Sequence, residues 1–322
     1  MTSSKQGGEG SSPLVHLSLL ALCPERVLAL RLALASVVGQ ASSVLDAGCG
    51  SLGVLAILAA KLGAQRVVGI DFGGPLTLAE ALAKENGVAD RVRFIEGDLA
   101  DMDRPIGTFD VIVAMVYNNE PRRDLVQQRL VSRIAQRFGH PGTSVIPDRV
   151  LYTMSGYDSV AKDKTGRTAS ADWQDSIRRV EGQTGLSLAR ILPLVDPEWR
   201  KNRLGLDVPW PSEKLPARFG YADRRPMTLL TRPETFAEID YSRPETALAY
   251  PSSLNLAVIR AGQLDTTIWR QDLLFGEVLI RSTETVHPLA PATQVGPGDT
   301  VALAVGDSWE DAIPLAVQGV HR

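Results

Sequence analysis

The chain has 322 residues, 44% of them hydrophobic and 22% charged, and its 34 Lys and Arg against 37 Asp and Glu give a formal net charge of −3. This length allows two domains, and the composition is typical of a folded globular protein. The charge balance provides no basic surface field, so we expect no nucleic acid partner.

The chain carries no targeting, disulfide or metal signal that we can identify. No apolar run approaches the roughly 20 residues that cross a bilayer, and MTSSKQGGEGSSP at 1–13 lacks the charged and apolar regions of a signal peptide. We therefore predict a disordered tail at 1–13, no membrane partner and a cytoplasmic location. Cys23 and Cys49 make no disulfide framework, and the four histidines lack ligand spacing, so we predict no metal site.

The first strong motif is VLDAGCGSLG at 44–53, an apolar run that ends in an acid and is followed by a glycine-rich turn. Gly48, Gly50 and Gly53 fill the pattern G-x-G-x-x-G. Asp71 follows about 20 residues later, at the end of the next apolar run, where such folds bind ribose hydroxyls. The segment therefore predicts a buried strand and a turn that holds a nucleoside.

The glycine pattern alone leaves two kinds of nucleoside ligand open, because dinucleotide-binding proteins share it. Asp46 favours one of them. A carboxylate two residues before Gly48 would repel a pyrophosphate, whereas it attracts a cationic amino-acid tail. S-adenosylmethionine carries both an ammonium and a sulfonium. We therefore favour this cofactor, and a nicotinamide-dependent oxidoreductase stays as an alternative.

Helix-like runs alternate with strand-like runs through the first half of the chain, at 54–62, 75–86 and 122–138. Asp98 follows a third apolar run, and FDVIVA at 109–114 is typical of a fourth strand. The alternation predicts a mostly parallel α/β sheet. Asp46, Asp71 and Asp98 then lie near the carboxyl ends of successive strands, where open α/β sheets bind ligands. Any one of these acids could instead simply end a strand.

Pro147 interrupts this rhythm, because proline cannot continue a central ladder. We place a domain boundary there, with a nucleotide-binding domain at 14–147 and a second domain at 148–322. The runs RVLYTM, SLNLAVI, DLLFGEVLI and TVALAV, with a turn GPGD at 296–299, predict an antiparallel second domain. An insertion at about 172–226 is long enough to be an interaction arm, although a simple surface excursion also fits.

With these segments in order, the chain resembles the protein arginine methyltransferase family over residues 16–318. VLDAGCGSLGVLAILAAKLGAQRVVGID resembles the family's cofactor signature, with one extra residue after Gly50. IPDR at 146–149 is similar to the family's link into its β-barrel. TLLTRPETFAEIDY at 228–241 resembles the return from its dimerisation arm, and TIWRQDLLF at 267–275 resembles the barrel stretch that carries a Thr-His-Trp motif.

The resemblance implies an α/β fold in which a class I methyltransferase Rossmann-like sheet is followed by an antiparallel β-barrel with an inserted dimerisation arm. It also implies S-adenosyl-L-methionine as cofactor, S-adenosyl-L-homocysteine as product, and a homodimer.

Two departures fall in the family's substrate site. The family carries two glutamates on the loop after its fourth strand. Here that loop is AMVYNNEPRRD, with Met115 in the first position and Glu120 as the nearby acid. Ile268 stands where the barrel motif has histidine, while Thr267 and Trp269 are kept. The chain is closest in kind to bacterial free-arginine N-methyltransferases of specialised metabolism, such as those that start nitrosourea biosynthesis. This implies a small arginine-like substrate and a role in antibiotic biosynthesis.

The resemblance and the residue types together assign roles. A carboxylate can localise the charge of a guanidinium, whose pKa exceeds 12, on one of its nitrogens. The predicted catalytic residues are Glu120, Tyr117 and Asn118. The predicted substrate-binding residues are Asn119, Trp269 and Met115. The predicted cofactor-binding residues are Asp46, Gly48, Cys49, Gly50, Asp71, Phe72, Asp98, Leu99 and Arg26.

Several alternatives stay open. The loop 117–120 also fits the start of a helix with Asn119 as its cap, and Trp269 also fits a core aromatic. The methyl group could go to an oxygen or amine of another small metabolite. The chain could also be a non-catalytic partner subunit that has lost its activity through the changes in this loop.

Overall fold

The computed structural model describes residues 24–72, 76–99, 105–117, 121–159, 173–190, 227–241, 253–305 and 315–321. The predicted tail at 1–13 lies outside these ranges. Within them, no helix is both long enough and apolar enough to cross a membrane.

The first part of the chain alternates helices with strands. Its elements are α1 (Pro24–Val37), β1 (Ser43–Ala47), α2 (Val54–Lys61), β2 (Arg66–Asp71), α3 (Thr77–Glu85), β3 (Val92–Glu96), β4 (Val111–Val113), α4 (Pro121–Phe138) and β5 (Ser144–Ile146). The strands form one parallel sheet in the order β3-β2-β1-β4-β5. The predicted parallel α/β sheet is therefore confirmed.

Strand β1 lies at the centre of this sheet, between β2 and β4. Its apolar residues Val44 and Leu45 are fully buried, as expected for a parallel strand covered on both faces. The strand order reverses at β1, and a crevice opens beyond the carboxyl ends of the strands at such a reversal. The glycine turn that follows β1 is therefore placed at the point where open α/β sheets bind ligands.

Element boundaries differ slightly from the sequence prediction. Strand β4 covers Val111–Val113, within the predicted 109–114. Helix α4 begins at Pro121, one residue before the predicted start. Proline suits the first helical position, because its missing N–H has no partner there and its φ is already helical.

The second part of the chain is antiparallel. Its strands are β6 (Arg149–Asp158), β7 (Thr228–Leu229), β8 (Glu234–Asp240), β9 (Ser253–Ala257), β10 (Gly262–Phe275), β11 (Val278–Val295), β12 (Thr300–Val305) and β13 (Leu315–His321). One sheet has the order β11-β10-β6-β7, with β8 also paired to β6, and another has the order β13-β12-β9. We call this part the antiparallel domain, and it confirms the predicted class of the second half.

One predicted strand run turns out to be a hairpin. The run DLLFGEVLI contains the end of β10 at Phe275 and the start of β11 at Val278, with Gly276 at φ 52° between them. Apolar residues on both sides of this glycine concealed the reversal in the sequence. The predicted turn at 296–299 does join β11 to β12.

The parallel sheet ends at Ile146 and the antiparallel domain begins at Arg149, on either side of the boundary placed at residue 147. From the predicted insertion, the structure describes helix α5 (Trp173–Thr184) and the residues up to 190. Residues 191–226 lie outside the described ranges. Helix α5 packs on α1, and Arg179 Nη1 lies 2.8 Å from Glu25 Oε1.

Two clusters of buried apolar side chains hold these elements together. One cluster extends from Leu30 of α1 and Ile57 of α2 to Tyr152 and Trp269 of the antiparallel domain. The other fills the opposite face of the parallel sheet, beneath α4, and includes Ile134. The first cluster is continuous across both parts of the chain, so burial of apolar surface stabilises their contact as well as each part.

Candidate active site

The turn after β1 is fastened to the end of β2. The backbone N–H groups of Gly48 and Cys49 both donate to the carbonyl oxygen of Ile70, at 2.9 and 3.0 Å. Gly50 N donates to Oδ2 of Asp71 at 2.8 Å. The turn therefore presents a fixed backbone surface at the crevice.

Gly53 closes the turn where no side chain fits. Its φ is 57°, in the left-handed region, and a Cβ on this residue would lie 2.5 Å from Cζ of Phe94. A side chain would therefore strain the backbone and collide with the ring. This close approach brings β3 against the start of α2 and explains the third glycine of the motif.

Asp46 and Asp71 face the same turn from neighbouring strands. Asp46 is 1% exposed, and its Oδ2 accepts a hydrogen bond from Ala56 N, in helix α2, at 2.9 Å. The pKa of Asp46 is raised to about 7: burial raises it most, the Ala56 hydrogen bond lowers it, and the charge of Asp71 adds a smaller rise. Among the residues that the structure describes, none contributes a positive charge that lowers this pKa, and a cationic ligand would supply one.

The other predicted cofactor residues after β2 and β3 are more exposed. Phe72 follows Asp71 directly and exposes 68% of its surface. Asp98 is exposed, and Leu99 is half-buried against the core beneath α4. The ends of the paired strands β2 and β3 are thus followed by an aromatic ring, an acid and an apolar side chain. Their contacts with a cofactor stay predictions.

Cys49 lies inside the glycine turn with its thiol largely buried. Burial raises the pKa of the Cys49 thiol well above its usual range, and the charges of Asp46 and Asp71 raise it further. The thiol is therefore neutral and is a poor nucleophile. Its predicted role is limited to contact with a bound nucleoside.

Arg26 lies in the first turn of α1 and is half-buried. Helix α1 is the element that packs on α5, through Glu25 and Arg179 among other contacts. Contact between Arg26 and a cofactor carboxylate stays a prediction.

The segment after β4 connects the two parts of the chain. Met115 is half-buried and packs on the first core cluster. Tyr117 is 7% exposed, and its hydroxyl donates to the hydroxyl of Tyr241 at 2.6 Å. The other predicted residues of this loop, Asn118, Asn119 and Glu120, lie outside the described residues.

Trp269 is 3% exposed and is packed among other rings. Its ring centroid lies 5.3 Å from that of Phe236 and 5.1 Å from that of His287, both tilted. Ile268, next in the strand, is also buried and faces the opposite side, because side chains alternate along a strand. Trp269 therefore belongs to the core, and its predicted contact with substrate stays a prediction.

Sequence reasoning missed Tyr241. This residue follows β8 in the segment EIDY, which carried the resemblance to the return from the arm, yet nothing in the local pattern indicates a partner 124 residues away. The pairing of β4 with β5 and of β8 with β6 brings the two tyrosines together.

Comparison with known proteins identifies the first part of the chain. Residues 44–136 match the family model described as methyltransferase domain. The chain carries a methyltransferase domain. This domain contains the glycine turn with Asp46, Asp71 and Asp98, and the cofactor it indicates is S-adenosyl-L-methionine.

Curated relatives match over part of the chain. Ribosomal protein arginine N-methyltransferase rmt3 of Schizosaccharomyces pombe is 40% identical over 72 residues, 22% of this chain and 13% of the relative. Protein arginine N-methyltransferase 1 of Saccharomyces cerevisiae is 31% identical over 127 residues, 38% of this chain and 34% of the relative. Ribosomal protein L11 methyltransferase of Thermus thermophilus is 50% identical over 87 residues, 26% of this chain and 32% of the relative. The chain thus spans about a third or less of these relatives.

Solved structures match over nearly the whole chain. The Trypanosoma brucei PRMT1 enzyme-prozyme heterotetrameric complex with AdoHcy has a TM-score of 0.63 at 17% identity and covers 97% of this chain and 96% of its own. Arabidopsis thaliana protein arginine methyltransferase 10 has a TM-score of 0.56 at 20% identity. The match covers 89% of this chain and 86% of the Arabidopsis chain. The methyltransferase domain and the antiparallel domain therefore share the fold of protein arginine methyltransferases.

Proposed function

We propose that the protein transfers a methyl group from S-adenosyl-L-methionine to a guanidino nitrogen of free L-arginine or a related small molecule. The observation that carries this proposal is the approach of Asp46 and Asp71 to one glycine turn in the methyltransferase domain. Two carboxylates at this turn suit a ligand that bears both an ammonium and a sulfonium. They do not suit a pyrophosphate.

The residues at the turn fit this cofactor. Asp71 ends β2, where a carboxylate can accept hydrogen bonds from ribose hydroxyls, and Asp98 can accept one from the adenine amino group. Asp46 stabilises the cationic end by charge. The exposed ring of Phe72 offers apolar surface for the nucleoside. When bound, the cofactor supplies an electrophilic methyl group.

The protein's main task in this reaction is to hold the acceptor nitrogen in line with the methyl group. A bond from nitrogen to the methyl carbon forms as the bond from sulfur to that carbon breaks, and the nitrogen then loses a proton. Glu120 localises the positive charge of the guanidinium on another nitrogen and accepts this proton. Tyr117 and Asn118 orient the acceptor by hydrogen bonds.

The changed loop supports a small acceptor. Met115 stands where the resembling family has a glutamate, and its half-buried side chain packs on the core, so this position supplies no charge. Asn118 and Asn119 offer amide groups to the carboxylate and amine of a free amino acid. The resemblance to bacterial free-arginine N-methyltransferases supports a proposed biosynthetic role in specialised metabolism.

A second candidate function is a non-catalytic partner subunit. The same replacement at Met115 favours it, because it removes a charge from the substrate site that the family uses. One similar structure is named as an enzyme-prozyme heterotetrameric complex. For either function we propose that the insertion at 172–226 mediates assembly, as a homodimer in the first case.

Incubation with L-arginine and S-adenosyl-L-methionine carrying a labelled methyl group tests the proposal. We expect mass spectrometry to find labelled arginine. Glu120→Gln should lower turnover at least a hundredfold, while the affinity for S-adenosyl-L-homocysteine stays within about twofold. Tyr152→Phe, in the antiparallel domain, is the matched control for general damage.

Three outcomes separate the candidates. Labelled arginine supports the proposed function. If the protein binds the cofactor and labels another metabolite of an extract but not arginine, arginine is rejected as the acceptor. The methyltransferase activity is then retained. Cofactor binding with no labelled product at all supports the partner subunit.

A further inference from the structure

The segment 114–117 touches the cofactor turn on one side and the antiparallel domain on the other. Val116 packs on the glycine turn, since a Cβ on Gly48 would lie 3.1 Å from its Cγ1. The next residue, Tyr117, donates its hydroxyl to Tyr241 at 2.6 Å. Ala114 N donates to the carbonyl of Ile146 at 2.8 Å, which fixes the start of the segment.

Tyr241 is itself held firmly. Its backbone N–H donates to the carbonyl of Asp148 at 2.9 Å, directly after β8 pairs with β6 at Asp240 and Arg149. Asp148 also donates its backbone N–H to the carbonyl of Leu274 at 3.0 Å.

The hairpin that joins β10 to β11 also holds Asp148 in place. The Oδ2 of Asp148 accepts a hydrogen bond from Gly276 N at 2.9 Å, at the tip of that hairpin. Tyr241 is therefore anchored next to Asp148, the residue between the parallel sheet and the antiparallel domain to which β8 and the hairpin are both hydrogen-bonded. Its hydroxyl has a defined position relative to the parallel sheet.

We propose that Tyr241 is a positioning residue, which acts through Tyr117 to set the segment between the glycine turn and the predicted substrate loop. Tyr117 leads directly into Asn118, Asn119 and Glu120. Displacement of a reacting group by about 1 Å can cost a hundredfold in rate. Loss of this hydrogen bond should therefore reduce catalysis more than it reduces cofactor binding. The kinetic part of this inference rests on the proposed function.

Partial burial of the two hydroxyls makes this contact sensitive to a small change. Tyr117 is nearly inaccessible to solvent, so removing the acceptor hydroxyl of Tyr241 leaves the Tyr117 hydroxyl without this partner in a low-dielectric site. Phenylalanine at position 241 keeps the ring and its packing. The change therefore removes only the hydroxyl of Tyr241.

The experiment compares Tyr241→Phe, Tyr117→Phe and the double variant with Tyr152→Phe. The control also removes one buried hydroxyl, which accepts from Gln271 Nε2 at 3.2 Å inside the antiparallel domain. We expect Tyr241→Phe to lower kcat for arginine at least tenfold, with the affinity for S-adenosyl-L-homocysteine within twofold. The double variant should be no slower than Tyr117→Phe alone, because Tyr117→Phe already breaks the hydrogen bond that Tyr241→Phe removes. Thermal midpoints of Tyr241→Phe and Tyr152→Phe should agree within a few degrees.

Amide hydrogen exchange tests the positioning without any turnover. We expect the amides of 114–117 to exchange at least fivefold faster in Tyr241→Phe and in Tyr117→Phe, and at the parental rate in Tyr152→Phe. If the parent fails to methylate arginine, this exchange result still decides the inference. Unchanged exchange overturns the inference, as does a kcat loss no larger than that of the control or an additive double variant.

Discussion

Gly50 donates its backbone N–H to Oδ2 of Asp71 across 2.8 Å, so the acid that ends β2 also holds the turn that follows β1. A carboxylate has two oxygens and accepts several hydrogen bonds. One side chain can therefore fix the turn and bind ribose hydroxyls. The spacing of about 20 residues between the glycines and this acid reflects the length of one helix and one strand.

Replacement of Asp71 should weaken cofactor binding. Hydrogen bonds to a charged group contribute about 1.5–3 kcal/mol, so Asp71→Ala should reduce the affinity for S-adenosyl-L-homocysteine about tenfold to a hundredfold. Asp71→Asn should lose less, because an amide oxygen can still accept from Gly50. Isothermal titration calorimetry measures both. Asp90→Ala, an exposed acid at the opposite end of the sheet, should bind as the parent does, and equal binding by Asp71→Ala would refute the assignment.

Gly53→Ala should destabilise the fold. A Cβ would lie 2.5 Å from Cζ of Phe94, and the φ of 57° is unfavourable for alanine. We expect the free energy of unfolding in urea to fall by about 1–3 kcal/mol. Gly182→Ala, in helix α5, meets no atom within 4 Å and should raise it by up to about 1 kcal/mol.

A second variant identifies the cause of the Gly53→Ala loss. Addition of Phe94→Leu removes the ring edge and should recover part of the stability relative to Gly53→Ala alone, while the backbone strain remains. If the double variant were less stable by the sum of both single changes, the collision with Phe94 would not be the cause.

Asp46 should make stability depend on pH. The pKa of this carboxyl rises from 3.8 to about 7 on folding, mainly through burial. Between these values the folded state holds one more proton than the unfolded state, so the free energy of unfolding falls as pH rises from about 4 to about 7 and is then constant. The total loss is on the order of 4 kcal/mol.

Asp46→Asn removes this titration and retains an oxygen that can accept from Ala56. We expect the variant to be more stable than the parent above about pH 7, with the difference shrinking towards about pH 4. Urea unfolding across this range measures it. A constant difference at all pH values would mean that Asp46 ionises equally in both states.

The same ionisation should couple to the cofactor. A cationic ligand favours the charged form of Asp46, so binding of S-adenosyl-L-methionine near neutral pH should release a proton. Calorimetry in buffers of different ionisation enthalpy detects that release. Asp46→Asn should bind without it, and proton release that persists in the variant would assign the linkage to another group.

The parallel sheet and its glycine turn were predictable because their signals are local. Glycines at fixed spacing, an acid at a strand end and the alternation of strand with helix all lie within short windows. The parallel sheet and its glycine turn follow from them. Pro147 lies between the last strand of the parallel sheet and the first strand of the antiparallel domain.

Contacts between distant segments were not predictable in this way. Phe94 lies against Gly53 because β3 pairs with β2. Tyr117 meets Tyr241 because β4 pairs with β5 and β8 pairs with β6. The hairpin at Gly276 was missed because apolar runs on both sides hid a single turn residue. Register between strands decides such contacts, and one sequence carries little information on register.

Two roles are open for Trp269: contact with substrate, from its place in the motif that resembles the family's, and packing in the core, from its burial. The ring is 3% exposed and packs between Phe236 and His287, which favours a core function. We expect Trp269→Phe to lower the free energy of unfolding by about 1–3 kcal/mol, because a smaller ring leaves a cavity. KM for arginine should stay within twofold. Phe236→Leu changes a neighbouring ring of the same cluster. It should resemble Trp269→Phe both in the free energy of unfolding and in KM for arginine. A rise in KM for Trp269→Phe alone would place this ring in contact with substrate, since lost packing would affect both variants equally.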